Sequence, residues 1–284
     1  MADWLTIQDS QPMSPEEVME LALKQYPCIR SFACFSSGND SQVSTHFSMT
    51  NGYAQEVFNI NTGIGIPEAR EHLYRTCDRF SWPLRVKTPP ELTYEQMVLK
   101  FGFPGPGAHT YPYVWLKERA INELVQETKR HHSDQVMLIT GVRETESARR
   151  MGFVEPIHKQ GAQIWVAPFY GATTRERDAY MEMHRLVRNP VTEKLFISGE
   201  CLCGAYASKG ERSRIKKFYP EFDSYLSWLE GHAEESGQSF CRWGNGVRID
   251  PNQTKLDFMP MCNNCLLAEN RERWQRGERI EKFL

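Results

Sequence analysis

Apolar positions along the chain fall into two alternating rhythms. Short runs at Phe32 to Phe35, Glu56 to Asn61, Leu84 to Lys87, Val136 to Val142 and Gln163 to Ala167 read as strands. Between them the apolar spacing turns helical. Residues 14–26 open with Ser14-Pro15-Glu16-Glu17, a capped start with proline at the first position, and carry Val18, Leu21 and Ala22 on one face. Val43 and Phe47 lie one helical turn apart, and helical patterns follow at 67–80 and 114–130. Strands alternating with helices predict an α/β fold, a doubly wound and mainly parallel sheet covered on both faces. From about residue 170 the rhythm changes. A helix over 174–187 is expected to stop at Asn189-Pro190, residues 195–265 are weakly periodic and rich in Cys, Gly and aromatics, and 266–282 reads as a charged helix. The expected organisation is an N-terminal helix (1–27), an α/β domain (28–190) and a cysteine-rich, helix-ended extension (191–284).

Composition narrows the setting. The 284 residues are 40% hydrophobic and 25% charged with a formal charge of −2, so nucleic acid would need a local basic patch rather than a global field. No apolar run approaches the roughly 18–20 residues of a membrane span. The start Met1-Ala2-Asp3-Trp4 lacks the basic and apolar regions of a signal peptide. The expectation is a cytoplasmic protein without membrane contact, whose eight cysteines are reduced or metal-bound.

Three polar segments sit at the carboxyl ends of predicted strands, where open α/β sheets bind ligands. The first is Ser36-Ser37-Gly38-Asn39-Asp40-Ser41. Small residues between a strand and a helix present backbone N–H groups and the positive helix end to an anion. Alone, this hexapeptide reads equally as a solvated turn before a capped helix; it has neither the Walker lysine nor the Gly-x-Gly-x-x-Gly spacing. The others are Asn61-Thr62-Gly63 and Gly141-Val142-Arg143-Glu144, and the coincidence of all three favours a phosphate cradle. The extension adds Cys201-x-Cys203 and Cys262-x-x-Cys265, with 58 residues between the pairs and Cys241 among them. Four convergent thiolates suit Zn²⁺ or an iron–sulfur cluster, and residue chemistry alone does not choose. Cys28 and Cys34 border a strand and read as core residues.

Together these segments resemble the phosphoadenosine phosphosulfate (PAPS) reductase family of the PP-loop adenine-nucleotide α-hydrolase superfamily. Residues 36–41 are similar to its Ser-Gly-Gly-x-Asp-Ser loop, with Ser37 in place of a glycine. Asn61-Thr62-Gly63-Ile64-Gly65-Ile66-Pro67-Glu68 is similar to Asp-Thr-Gly-x-x-Phe-Pro-Glu, and residues 141–149 to Gly-x-Arg-x-x-Glu-Ser-x-x-Arg. Gly102-Phe103-Pro104 followed by Lys117 matches the region of a substrate-binding basic residue. The resemblance implies a PP-loop (HUP-like) fold and a site for ATP or PAPS. Ser36, Ser37, Gly38, Asn39, Asp40 and Ser41 would hold phosphates, Thr62 and Gly63 would border the adenosine, and Gly141, Arg143 and Arg149 would complete the site. Asp40 would position Mg²⁺ and, with Arg143 and Lys117, serve catalysis. The chain departs from thioredoxin-dependent reductases in having no cysteine after Cys265. It is closer in layout to the sulfur-inserting branch, including DNA phosphorothioation and tRNA thiolation enzymes, which pairs the loop with a [4Fe–4S] cluster. By that likeness Cys201, Cys203, Cys262 and Cys265 would be ligands, with Cys241 as the alternative. The implied partners are an adenine nucleotide, a sulfur or electron donor protein, nucleic acid as acceptor and a second copy in a homodimer. Two alternatives stand beside this reading: a PAPS reductase-type oxidoreductase releasing sulfite, and a zinc-stabilised regulatory module.

Overall fold

Ser14 caps the first helix, its side chain accepting from the Glu17 backbone N–H while the Glu17 carboxylate accepts from Ser14 N, so α1 (Pro15–Gln25) starts where the sequence predicts. The structure, a computed structural model, describes residues 13–105, 110–144 and 155–244. These lie in one compact unit, Met1–Gly246; a second, Val247–Leu284, falls outside the described residues, as does the expected helix over 266–282. After α1 come β1 (Arg30–Cys34), α2 (Asn39–Thr50), β2 (Glu56–Ile60), α3 (Pro67–Phe80), β3 (Leu84–Lys87) and α4 (Tyr94–Phe101). A continuous helical stretch then runs through α5 (Thr110–Tyr113), five residues of π-helix (Val114–Glu118) and α6 (Arg119–Thr128). Next are β4 (Val136–Ile139), β5 (Ile157–Gln160), β6 (Gln163–Val166), α7 (Thr174–Met183), α8 (Pro190–Leu195), α9 (Glu211–Phe218) and α10 (Pro220–Glu235).

The six strands form one sheet in the order β3-β2-β1-β4-β6-β5, parallel except for the β5 edge. Alternate residues of the central strands feed opposite faces. Phe32 and Leu138 pack with Ile121, Leu124 and Val125 of α6; Ala33, Met137 and Ile139 pack with Val18, Met19 and Ala22 of α1 and Val43 and Phe47 of α2. Each fully buried large side chain contributes roughly 1.5–3 kcal/mol, so the two layers hold the sheet from both sides. The chain passes from β1 outward to β2 and β3, then returns to place β4 on the other side of β1. That reversal opens a crevice beyond the ends of β1 and β4.

Three local expectations are revised. Asn189 and Pro190 do not simply stop a helix: Asn189 caps α8, its side chain accepting from Val191 N, and Pro190 occupies the first turn. The β5 edge strand escapes the apolar pattern because His158, Lys159 and Gln160 are exposed. The segment after 195 contains α9 and α10, whose Leu226, Leu229 and Ala233 join a core with Ile64, Tyr94, Met97 and Leu202.

Gly141, just past β4, is where the two central loops touch. A Cβ there would lie 2.4 Å from Ser41 N and 2.5 Å from both the carbonyl carbon and oxygen of Asp40. All three are backbone atoms in the first turn of α2, which cannot yield as a side chain would. Gly141→Ala should therefore cost about 1–3 kcal/mol in urea denaturation; a variant as stable as the parent would contradict the contact.

Candidate functional site

The loop after β1 is short because α2 begins early. Gly38 is its cap, so Asn39, Asp40 and Ser41, read from sequence as loop, already form the first helical turn. Ser41 Oγ donates to Gly38 O (2.9 Å) and accepts from Ser36 N (3.2 Å) and Ser36 Oγ (3.1 Å), folding the loop onto the helix end. Ser37 has φ of 59°, a left-handed conformation that explains why related loops carry glycine at that place. Asn189 holds the turn from outside, donating from Nδ2 to Ser37 O and Ser198 O at 2.9 Å each. Inside it, Ser37 Oγ and Asn39 Oδ1 are buried without a hydrogen-bond partner. Buried polar atoms are rarely left so unless something else completes them.

Arg143 reaches this turn from the segment after β4. Its side chain is 6% exposed; Nη1 donates to Ala172 O (3.2 Å) and Thr174 Oγ1 (3.3 Å), and Nε approaches Asp40 Oδ1 to 2.5 Å, off the axis of a hydrogen bond. A second guanidinium, Arg177 of α7, also meets Asp40 Oδ1, at 3.2 Å from Nη1. No motif pointed to Arg177. The capping box of Thr173 and Glu176 fixes where α7 begins, which is the only local hint of which side chain turns inward.

A second cluster occupies the neighbouring strand ends. Residues 199–202 lie against the Thr62–Ile66 segment, with Ile66 N donating to Gly199 O and Leu202 N to Ile64 O, both at 2.7 Å. Gly65 permits this, since a Cβ there would sit 2.4 Å from Glu200 O. Thr62 is buried and donates to Glu200 O (3.2 Å), whereas Gly63 is exposed with φ of 75° in a turn closed by Asn61. The Glu200 carboxyl, 8% exposed, accepts from Asn59 Nδ2, which also donates to Phe35 O at 2.8 Å. Burial pushes Glu200 up to about 7, against the opposing pull of the Asn59 bond and of Lys117. Beside it the Cys201 thiol is drawn down by the Cys203 thiol that hydrogen-bonds to it and by Lys117 and Thr62, while Cys203 is pushed up by the same pairing. Lys117 stands in the π-helical stretch.

Of the expected site residues, the structure gathers Ser36 to Ser41, Gly141 and Arg143 at one place and Thr62, Lys117, Cys201 and Cys203 at the next. Cys241 is buried in the core cluster against which Cys201 and Cys203 pack. Arg149, Cys262 and Cys265 lie outside the described residues. Among the described residues no three His, Cys, Asp or Glu side chains converge as metal ligands.

The sequence profile of the family described as "Phosphoadenosine phosphosulfate reductase domain" matches residues 30–203, more than half of the chain. The chain belongs to that family. The matched span runs from β1 through Cys203 and so contains every described residue of both clusters except Cys241. Solved structures match only distantly. A PAPS reductase from Candida auris in a phosphate complex is 14% identical with a TM-score of 0.46 over 66% of this chain and 93% of that one. The U34-tRNA thiolase NcsA from Methanococcus maripaludis with its [4Fe-4S] cluster is 14% identical, TM-score 0.41, over 95% and 90%. An NH3-dependent NAD synthetase from Campylobacter jejuni is 14% identical, TM-score 0.43, over 96% and 100%. No curated protein matches the chain. Among the described residues no helix is long and apolar enough to cross a membrane.

The raised Glu200 of this family member has a measurable consequence. Its folded-state value lies above its ordinary one, so the stability it contributes is complete below about pH 4.5 and is lost as pH rises through about 7. Glu200→Gln should remove on the order of 3 kcal/mol of that pH dependence. Urea midpoints at pH 5 and pH 8 should fall in the parent and stay level in the variant; parallel curves would refute a neutral Glu200.

Proposed function

We propose that the chain is a PP-loop enzyme that splits ATP between its α- and β-phosphates, transferring adenylate to an acceptor oxygen in the service of sulfur transfer, with nucleic acid as the acceptor class. The observation that carries this reading is the buried, unpartnered Ser37 Oγ, a hydroxyl able to donate, in the turn that leads into α2, where the Arg143 guanidinium meets Asp40. Backbone amides at a helix N-terminus and a planar guanidinium favour a leaving pyrophosphate over neutral ligands. In this reaction the acceptor oxygen bonds to the α-phosphorus as the bond to the bridging oxygen breaks, and pyrophosphate leaves with the electron pair. Residues 36–41 would hold that pyrophosphate, Arg143 would neutralise it, and Thr62 with Gly63 would border the adenosine. Arg149 belongs to the same proposed set.

The cofactors fit unequally. Cys201 and Cys203 offer two soft sulfur donors in hydrogen-bond reach, suited to a [4Fe–4S] cluster or zinc once Cys262 and Cys265, or Cys241, add theirs. When bound, a cluster would supply a sulfur-handling centre beside the nucleotide. Asp40 does not fit the expected role of a free Mg²⁺ ligand, because two arginines engage its carboxylate. Mg²⁺ would be held chiefly by the nucleotide's own phosphates.

A second reading draws on the Cys201–Cys203 pair itself. The Cys201 thiolate could attack the sulfonate sulfur of PAPS, releasing adenosine bisphosphate; Cys203 would then displace sulfite and close a disulfide, to be reopened by a dithiol reductant. Parallel incubations separate the two. AMP and pyrophosphate from ATP support the first reading, sulfite and adenosine bisphosphate from PAPS support the second, and ADP with phosphate contradicts both. Anaerobically prepared protein should be brown with about four iron per chain, and Cys262→Ala/Cys265→Ala should lose the colour. A fully coloured double variant would overturn the ligand set, and zinc with neither iron nor turnover would favour a regulatory module.

A further inference from the structure

Arg177 lies outside every motif of the chain, yet its charged head is buried at the phosphate end of the crevice. Its side chain is 14% exposed, and it comes from α7, 137 residues along the chain from its partner Asp40. Arg143 approaches the same carboxylate oxygen from the segment after β4. Two guanidiniums thus converge on Asp40 Oδ1 in the first turn of α2. Behind Arg177, Asp178 Oδ1 accepts from Arg177 Nε (2.9 Å) and Nη2 (2.7 Å) and pairs with Arg188 Nη2 (3.0 Å), fixing the plane of the Arg177 fork. The group of three arginines and two aspartates carries one net positive charge. Beside it Ser37 Oγ, in a residue more than nine-tenths buried, lacks a partner and can donate. An anion placed there would meet two guanidiniums, a free hydroxyl and the helix end together.

We propose that Arg177 is a ligand-contacting residue of this site, forming with Arg143 a two-armed clamp on the terminal phosphates of the bound nucleotide. Asp40 holds both arms in place when no nucleotide is present. This rests on the adenine-nucleotide reading given above. It adds that recognition is concentrated on the β- and γ-phosphates, so a ligand with a single phosphate gains nothing from Arg177.

The test compares ATP, inorganic pyrophosphate and AMP by calorimetric titration of the full chain and of Arg177→Gln and Arg177→Lys. Loss of a charge-assisted contact should weaken ATP and pyrophosphate about ten-fold or more in Arg177→Gln, with AMP affinity unchanged and part of the loss restored in Arg177→Lys. Unchanged AMP binding also reports that the variant is folded. Equal losses for AMP and ATP would make Arg177 a merely structural residue and overturn the clamp, as would unchanged pyrophosphate affinity in Arg177→Gln. Failure of the parent chain to bind any of the three would overturn the nucleotide reading itself, and the clamp with it.

Discussion

The backbone contact between Gly141 and the first turn of α2 is the constraint on which the site depends. The sheet order makes β1 and β4 neighbours, but that alone leaves their two loops free to splay apart. With no side chain at Gly141, the segment after β4 lies directly on Asp40 and Ser41. Arg143, two residues on, then meets the Asp40 carboxylate. Everything anionic that the crevice could hold follows from bringing a helix N-terminus and a buried guanidinium to one point.

A second close approach, of Gly65 to Glu200, joins the thiol cluster to the same sheet. Asn59 links the two sides physically, donating to Phe35 O at the end of β1 and to the Glu200 carboxyl beside Cys201. One amide therefore braces both the strand that enters the phosphate turn and the segment that carries the cysteines. The two groups of side chains differ chemically, a helix N-terminus with two guanidiniums in one and a thiol pair with a buried carboxyl in the other. In the proposed function the first would hold phosphate and the second a thiol or a thiolate-bound centre.

Much of this was legible in the residues. The apolar runs marked five of six strands, most plainly the central β1 and β4, whose burial on both faces makes them read as apolar segments. The β5 edge was lost for the opposite reason, being polar on its exposed side. Motif chemistry singled out Ser36 to Ser41, Gly141 and Arg143, and the structure places them together. It gave no hint of Arg177 or Glu200. Their placement comes from packing across 137 and 141 residues of chain, respectively, and no local pattern records that. Ser37 is the instructive case: its departure from glycine looked anomalous, and the structure accommodates it as a left-handed serine pinned by Asn189.

In the proposed function, the turn between β1 and α2, together with the segment after β4, encloses the phosphates of an adenine nucleotide. Amide hydrogen exchange with and without ATP tests it most directly. Slowed exchange is expected at the amides of residues 37–41 and 142–144, with far smaller changes in α9 and α10. Protection confined to other segments, with those amides unchanged at saturating ATP, would contradict it.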